Sequence, residues 1–193
     1  LKSMNVKDML RQASDAAKQL ITLSDQTIIG ILKETAQVLR THTEEVLAAN
    51  RQDLERMDPA NPKYDRLKLT EERLQGIAAD MENVSTLPSP LNKVLSETIR
   101  PNGMVIRKVT VPFGVIGVIY EARPNVTFDV FSLCFRSGNV CVLKGGSDAD
   151  FSNRALVRII HSVLERQGIN PAVCTLLPPD REATAELLGA VGL

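Results

Sequence analysis

The chain has little that would tie it to a disulfide scaffold, a metal, a membrane or a polyanion. Its three cysteines, Cys134, Cys141 and Cys174, are odd in number and never spaced as CxxC, so neither a disulfide framework nor a zinc cage is supported. A reducing, cytoplasmic compartment is expected. Lys plus Arg number 23 and Asp plus Glu 23, for a net charge of +0, which leaves no basic field to hold nucleic acid or an anionic lipid surface. Apolar runs near the N-terminus are broken by Lys, Arg, Asp or Gln every few residues, so neither a signal core nor a spanning helix is expected, and the mature chain is expected to start near Leu1. Only two histidines occur, His42 and His161, with no cysteine or carboxylate at ligand spacing, and both are expected at the surface. The dinucleotide fingerprint GxGxxG is also missing: Gly114 and Gly117 precede or lie within a strand and do not open a helix. Gly117 is expected to serve close packing.

What is present is a chain of 193 residues, 44% hydrophobic, able to bury one or two cores. Val6, Leu10, Ala13, Ala17 and Leu20 recur at helical spacing and predict a first helix. Ser24 and Asp25 cap a second, with a stripe running Ile28, Leu32, Thr35, Leu39 and Val46, and the two are expected to pair antiparallel. Asp58-Pro59-Ala60-Asn61-Pro62 is a loop, because proline lacks an N–H and restricts the residue before it. Thr70 caps a third helix with Leu74, Ile77, Ala78 and Met81 on its buried face, ended by Pro88 and Pro90.

Beyond Pro90 the pattern becomes extended. Val94 to Arg100 and Val105 to Val111 flank Pro101-Asn102-Gly103, and the Asn-Gly pair suits a tight hairpin turn with positive φ. Val115 to Tyr120 and Val140 to Lys144 are almost wholly apolar, as strands covered on both faces would be. A helix over Thr127 to Ser137 closed by Gly138, an amphipathic helix over Asp150 to Gln167, a strand over Val173 to Leu177 and a helix from about Arg181 complete a β-α-β-α-β-α series. The fold class is therefore α/β with a parallel sheet.

Open parallel sheets bind ligands at the carboxyl ends of their strands. After the first strand, Glu121 to Thr127 contains Asn125, whose amide suits either an oxyanion donor or a plain helix cap. After the second, Lys144-Gly145-Gly146-Ser147 offers a cation, close backbone approach and a hydroxyl for a ribose or phosphate; its bland alternative is an ordinary strand-to-helix connection. The cysteines read as inert core thiols.

The run Val111-Pro112-Phe113-Gly114-Val115-Ile116-Gly117-Val118-Ile119-Tyr120-Glu121-Ala122-Arg123-Pro124-Asn125-Val126-Thr127 resembles the γ-glutamyl phosphate reductases, a family within the aldehyde dehydrogenase superfamily. Ala48-Ala49-Asn50 with Asp53, Asp65-Arg66-Leu67, Leu69-Thr70, Arg73-Leu74 and Ser137-Gly138-Asn139 extend the likeness over nearly the whole chain. The resemblance implies an aldehyde dehydrogenase-like fold with three parts: an N-terminal helical segment (1–90) packed on the cofactor domain, a β-hairpin (91–111) of the oligomerisation element, and an NADP-binding unit (112–193) truncated before the catalytic domain. It also implies NADPH-dependent reduction of L-glutamyl 5-phosphate to glutamate 5-semialdehyde and phosphate through a cysteine thioester, in proline biosynthesis. Asn125 would then be the oxyanion donor, and Lys144, Gly145, Gly146 and Ser147 the cofactor-binding residues. A homo-oligomer and contact with glutamate 5-kinase are implied partners. The family's nucleophile lies in a segment beyond this chain, and none of Cys134, Cys141 or Cys174 matches its motif, so the chain alone is expected to be inactive. Two other readings stay open: a relative acting on another acyl group, and a non-catalytic nucleotide-binding or assembly module.

Overall fold

A computed structural model describes residues 4–190, so the expected start at Leu1 lies outside the described residues. Five helices come first: α1 (Val6–Leu20), α2 (Asp25–Thr41), α3 (Thr43–Leu54), the single turn α4 (Tyr64–Leu67) and α5 (Glu71–Thr86). Their starts follow local chemistry. Asn5, Ser24 and Thr70 each accept a hydrogen bond from a backbone amide three residues on, satisfying one of the donors a helix leaves free at its N-terminus.

Two expectations fail here. The stripe from Ile28 to Val46 does not lie on one helix, because the chain breaks at His42 between α2 and α3. Nor do α1 and α2 pair. Instead α2 lies along α5 and also touches the later helix Asp150–Arg166, whereas α1 packs on the sheet and on the helix Arg181–Gly189. The sheet offers α1 a larger apolar surface than a lone helix would.

The hairpin forms from β1 (Val94–Ile99) and β2 (Val105–Val109), antiparallel with Ile99 opposite Val105. Only Gly103 of its turn has positive φ, at 83°. Arg100 receives a bond from the Gly103 amide and donates its own to Met104, so the turn has three residues closed by a left-handed glycine rather than two. Every residue of both strands is exposed.

The α/β unit follows: β3 (Val115–Ile119), α6 (Asn125–Arg136), β4 (Val140–Lys144), α7 (Asp150–Arg166), β5 (Cys174–Leu176) and α8 (Arg181–Gly189). The sheet is parallel in the order β3-β4-β5, as the alternation predicts. Helices α1 and α8 cover one side; α6 and α7 cover the other and carry α2, α3 and α5 outside them. Central β4 is wholly buried, whereas β3 is only partly covered and leaves Ile119 46% exposed, against the expectation of full cover. An edge strand has one hydrogen-bonding flank and less packing on its faces than a central one. Gly117 fits its expected packing role, since a Cβ there would lie 3.0 Å from the Leu187 side chain of α8.

Candidate active site

The carboxyl ends of β3, β4 and β5 open onto a cleft of about 490 Å³ lined by Lys63, Glu121, Gly146, Ser147, Asp180 and Arg181, among others. Gly146 and Ser147 reach it directly. Lys144 stands behind them, nearly buried, with its ammonium donating to the carbonyls of Gly145 at 2.9 Å and Pro179 at 3.2 Å. It thereby ties the end of β4 to the loop after β5. Gly145 faces inward, where a Cβ would lie 2.3 Å from Asn153 Nδ2, so a larger residue would displace the Asn153 side chain. Asn153 Oδ1 accepts from Thr127 Oγ1 at 3.1 Å, and that hydroxyl bonds Tyr120 Oη at 2.7 Å. Burial pushes the Tyr120 phenol well above its usual pKa, only partly offset by the Thr127 bond, so it stays a neutral linker between β3, α6 and α7.

Asn125 lies elsewhere. It is the first residue of α6, which follows Pro124 and has no side-chain cap, so the helix-cap alternative fails on geometry. Its Nδ2 donates to Asp129 Oδ2 at 3.1 Å. It lines a second cavity, of about 370 Å³, with Arg123, Asp80 and residues of the α4–α5 connection. The five expected site residues therefore fall into two groups, one behind or on the cleft and one in this neighbouring cavity.

Sequence reading missed Lys63, Glu121, Asp180 and Arg181. Lys63 pairs with Glu121 at 3.0 Å, and Asp180 caps α8 by accepting from the Ala183 amide at 2.7 Å. Helix N-caps are visible in sequence, so Asp180 ahead of Arg181 was readable; the Lys63 to Glu121 contact joins two loops and leaves no local signal. Asp53 was also missed as a determinant. Its buried carboxylate accepts from the Phe151 and Ser152 amides and from Ser152 Oγ, capping α7 from another helix.

The histidines divide. His42 is exposed, but His161 is half-buried, with Nε2 2.7 Å from the Cys174 carbonyl oxygen, which corrects its expected surface placement. All three cysteines are free and buried. Burial pushes the Cys134 thiol up to about 12, and contact with Cys174 together with burial holds Cys141 well above the usual range. Thiols with raised pKa stay protonated near neutrality, and thiolate is the reactive form. At pH 8 the native protein is therefore expected to resist a disulfide-exchange reagent at all three sites, with release of all three on unfolding; rapid native labelling would contradict the burial. Among the described residues no group of three or more His, Cys, Asp or Glu is arranged to hold a metal ion, and no helix is long and apolar enough to cross a membrane.

No protein-family model matches the chain. A γ-glutamyl phosphate reductase from Azobacteroides pseudotrichonymphae is 64% identical over 188 residues, covering 97% of this chain and 45% of that protein. The crystal structure of γ-glutamyl phosphate reductase from Thermotoga maritima superposes with a TM-score of 0.91 at 31% identity, over 96% of this chain and 46% of that one. The chain matches the N-terminal half of the γ-glutamyl phosphate reductases. It matches an N-terminal fragment and spans about half the length of the curated relatives it matches, at 45% of the first. A probable aldehyde dehydrogenase from Listeria monocytogenes, 17% identical with a TM-score of 0.70, shares the fold.

Proposed function

We propose that this chain forms the NADP(H)-binding part of an enzyme that reduces L-glutamyl 5-phosphate to L-glutamate 5-semialdehyde and phosphate, with Asn125 donating to the acyl oxygen. The observation that carries the reading is the cleft at the carboxyl ends of a parallel sheet, in a chain with 64% identity to a γ-glutamyl phosphate reductase. The lining fits a dinucleotide by its donors: Lys63 and Arg181 offer charge to phosphate, Ser147 a hydroxyl to a ribose, and Gly146 places backbone at the cleft wall. A nicotinamide cofactor held by these residues would supply the hydride for the reduction.

The chain's own residues do the rest of what is assigned to them. Lys144 fixes the two loops that form the cleft floor, and the third proton of its ammonium is free for a cofactor oxygen. Asn125 Nδ2 keeps one hydrogen on Asp129 and offers its second to the acyl oxygen as negative charge builds there, which stabilises the transition state more than the ground state. All three cysteines are buried away from the cleft surface, so the attacking thiolate comes from the part of the family's chain that lies outside this segment. The free thiols fit a reducing cytoplasm. The fully exposed hairpin, with Leu95, Ile99 and Val105 uncovered, packs on a second copy in a homo-oligomer.

Direct titration of NADPH into this chain tests the reading. Binding is expected, and Lys144→Ala should weaken it roughly tenfold to a hundredfold, the scale of one lost charge-assisted hydrogen bond. Absence of NADPH binding by the folded wild-type chain would overturn the proposal, and unchanged affinity in a folded Lys144→Ala variant would remove Lys144 from it.

A further inference from the structure

The cavity beside Asn125 is lined by charged side chains, some of which the protein does not spend on itself. Arg73 is fully engaged, donating to the carbonyls of Asp65 and Lys68 at 2.6 Å each and to the Asp65 carboxylate at 3.1 Å. Arg66, Arg123 and Asp80 also line the cavity, and among the described residues none of the three has an ion-pair partner. Immediately behind Asn125, Asp129 is half-buried, and its one side-chain hydrogen bond comes from the neutral Asn125 amide. Burial first, and then the charge of Asp80, push the Asp129 carboxyl above its usual range, and among the described residues neither carboxyl has an ion-pair partner.

Such an arrangement selects for a ligand with both signs of charge. A purely anionic group would gain from Arg123 and Arg66 but meet Asp80 and Asp129. A purely cationic group would meet the reverse. An α-amino acid head carries an ammonium and a carboxylate on one carbon and satisfies both sets together. The cavity, at about 370 Å³, has room for a molecule of that size.

We propose that this cavity binds the α-amino acid head of the substrate, Asp80 with Asp129 behind it taking the ammonium and Arg123 the carboxylate. This rests on the reading of the chain as part of an L-glutamyl 5-phosphate reductase, and it adds the residues that make the enzyme select an amino acid over the plain dicarboxylic acyl group. Asn125 lines the same cavity, so a head held there leaves the far end of the substrate to meet the amide that donates to the developing negative charge.

The test uses the complete reductase, assayed in the reverse direction with phosphate and NADP on two aldehydes: L-glutamate 5-semialdehyde and glutarate semialdehyde, which lacks only the α-ammonium. The wild type is expected to prefer the aminated aldehyde. Asp80→Asn, at an exposed helix position that folding does not depend on, should cut the ratio of the two kcat/KM values about tenfold, mainly through KM, with Asp80→Glu restoring part of it. Arg123→Gln should lower both values and keep the ratio. An unaltered ratio in Asp80→Asn, or a gain in activity that marks the site as an anion pocket, would overturn the inference while leaving the functional reading standing. A wild-type enzyme inactive on both aldehydes would instead overturn that reading, and the inference with it.

Discussion

Asn125→Ala in the complete reductase is expected to lower kcat by about 10²–10³, the scale seen when one oxyanion donor is removed, with cofactor affinity unaltered. The structure sharpens what else should happen. Because Asn125 makes no cap bond and begins α6 after Pro124, its loss removes only the contact with Asp129, and the thermal midpoint should move little. Asn125 donates one Nδ2 hydrogen to Asp129 at rest, which leaves the second for the acyl oxygen and keeps the amide oriented before the substrate arrives. Measuring kcat and the midpoint on the same preparation decides the matter: a lowered midpoint with normal turnover would mark Asn125 as structural.

Asp53→Ala should cost about 3–5 kcal/mol, which in a chain of this size lowers the thermal midpoint by roughly 6–20 °C. Its carboxylate is fully buried and accepts from Ser152 N at 2.7 Å, Ser152 Oγ at 2.6 Å, Phe151 N at 3.2 Å and Arg56 at 2.6 Å. Alanine would leave the first amides of α7 without a partner inside the protein, and the Arg56 guanidinium, which also stacks over the Phe151 ring at 4.7 Å, without its counter-charge. The adjoining Asn50 is no substitute, being committed to the Leu67 carbonyl, the Leu69 amide and Ser152 Oγ. Urea unfolding would read the effect as a fall in midpoint at constant slope. A loss below about 1 kcal/mol, within the range of ordinary surface substitutions, would show that water replaces the cap.

The elements that sequence located best are those whose cause is local. Thr70 caps α5, Gly103 turns the hairpin, and the apolar run at Val140 to Lys144 is the buried central strand because each signal acts within a few residues. The break at His42 has no such signal: Thr41-His42-Thr43 holds neither glycine nor proline, and the helices part because α2 follows α5 while α3 follows α7. Periodicity likewise could not tell an edge strand from a central one, which is why β3 was expected to be covered. Of the candidate site, Asn125, Lys144 and the following glycines were visible as strand-end residues. The charges facing them were not, since Lys63, Asp80 and Arg181 come from three separate segments that only the fold brings near.

The first helix has a consequence for synthesis. Helix α1 packs against β4, β5 and the turn before β5, and Gln19 clasps the far segment, donating to the Gly168 carbonyl across a separation of 149 residues and accepting from the Asn170 amide. The helix is made well before the surface it covers. At about 5–20 residues per second, α1 waits roughly 8–30 s for that surface. Throughout that interval its apolar stripe of Leu10, Ala13 and Leu20 has no native partner. The helix can close over the sheet only once that surface exists, so the loop-closure entropy of this long-range contact is repaid late.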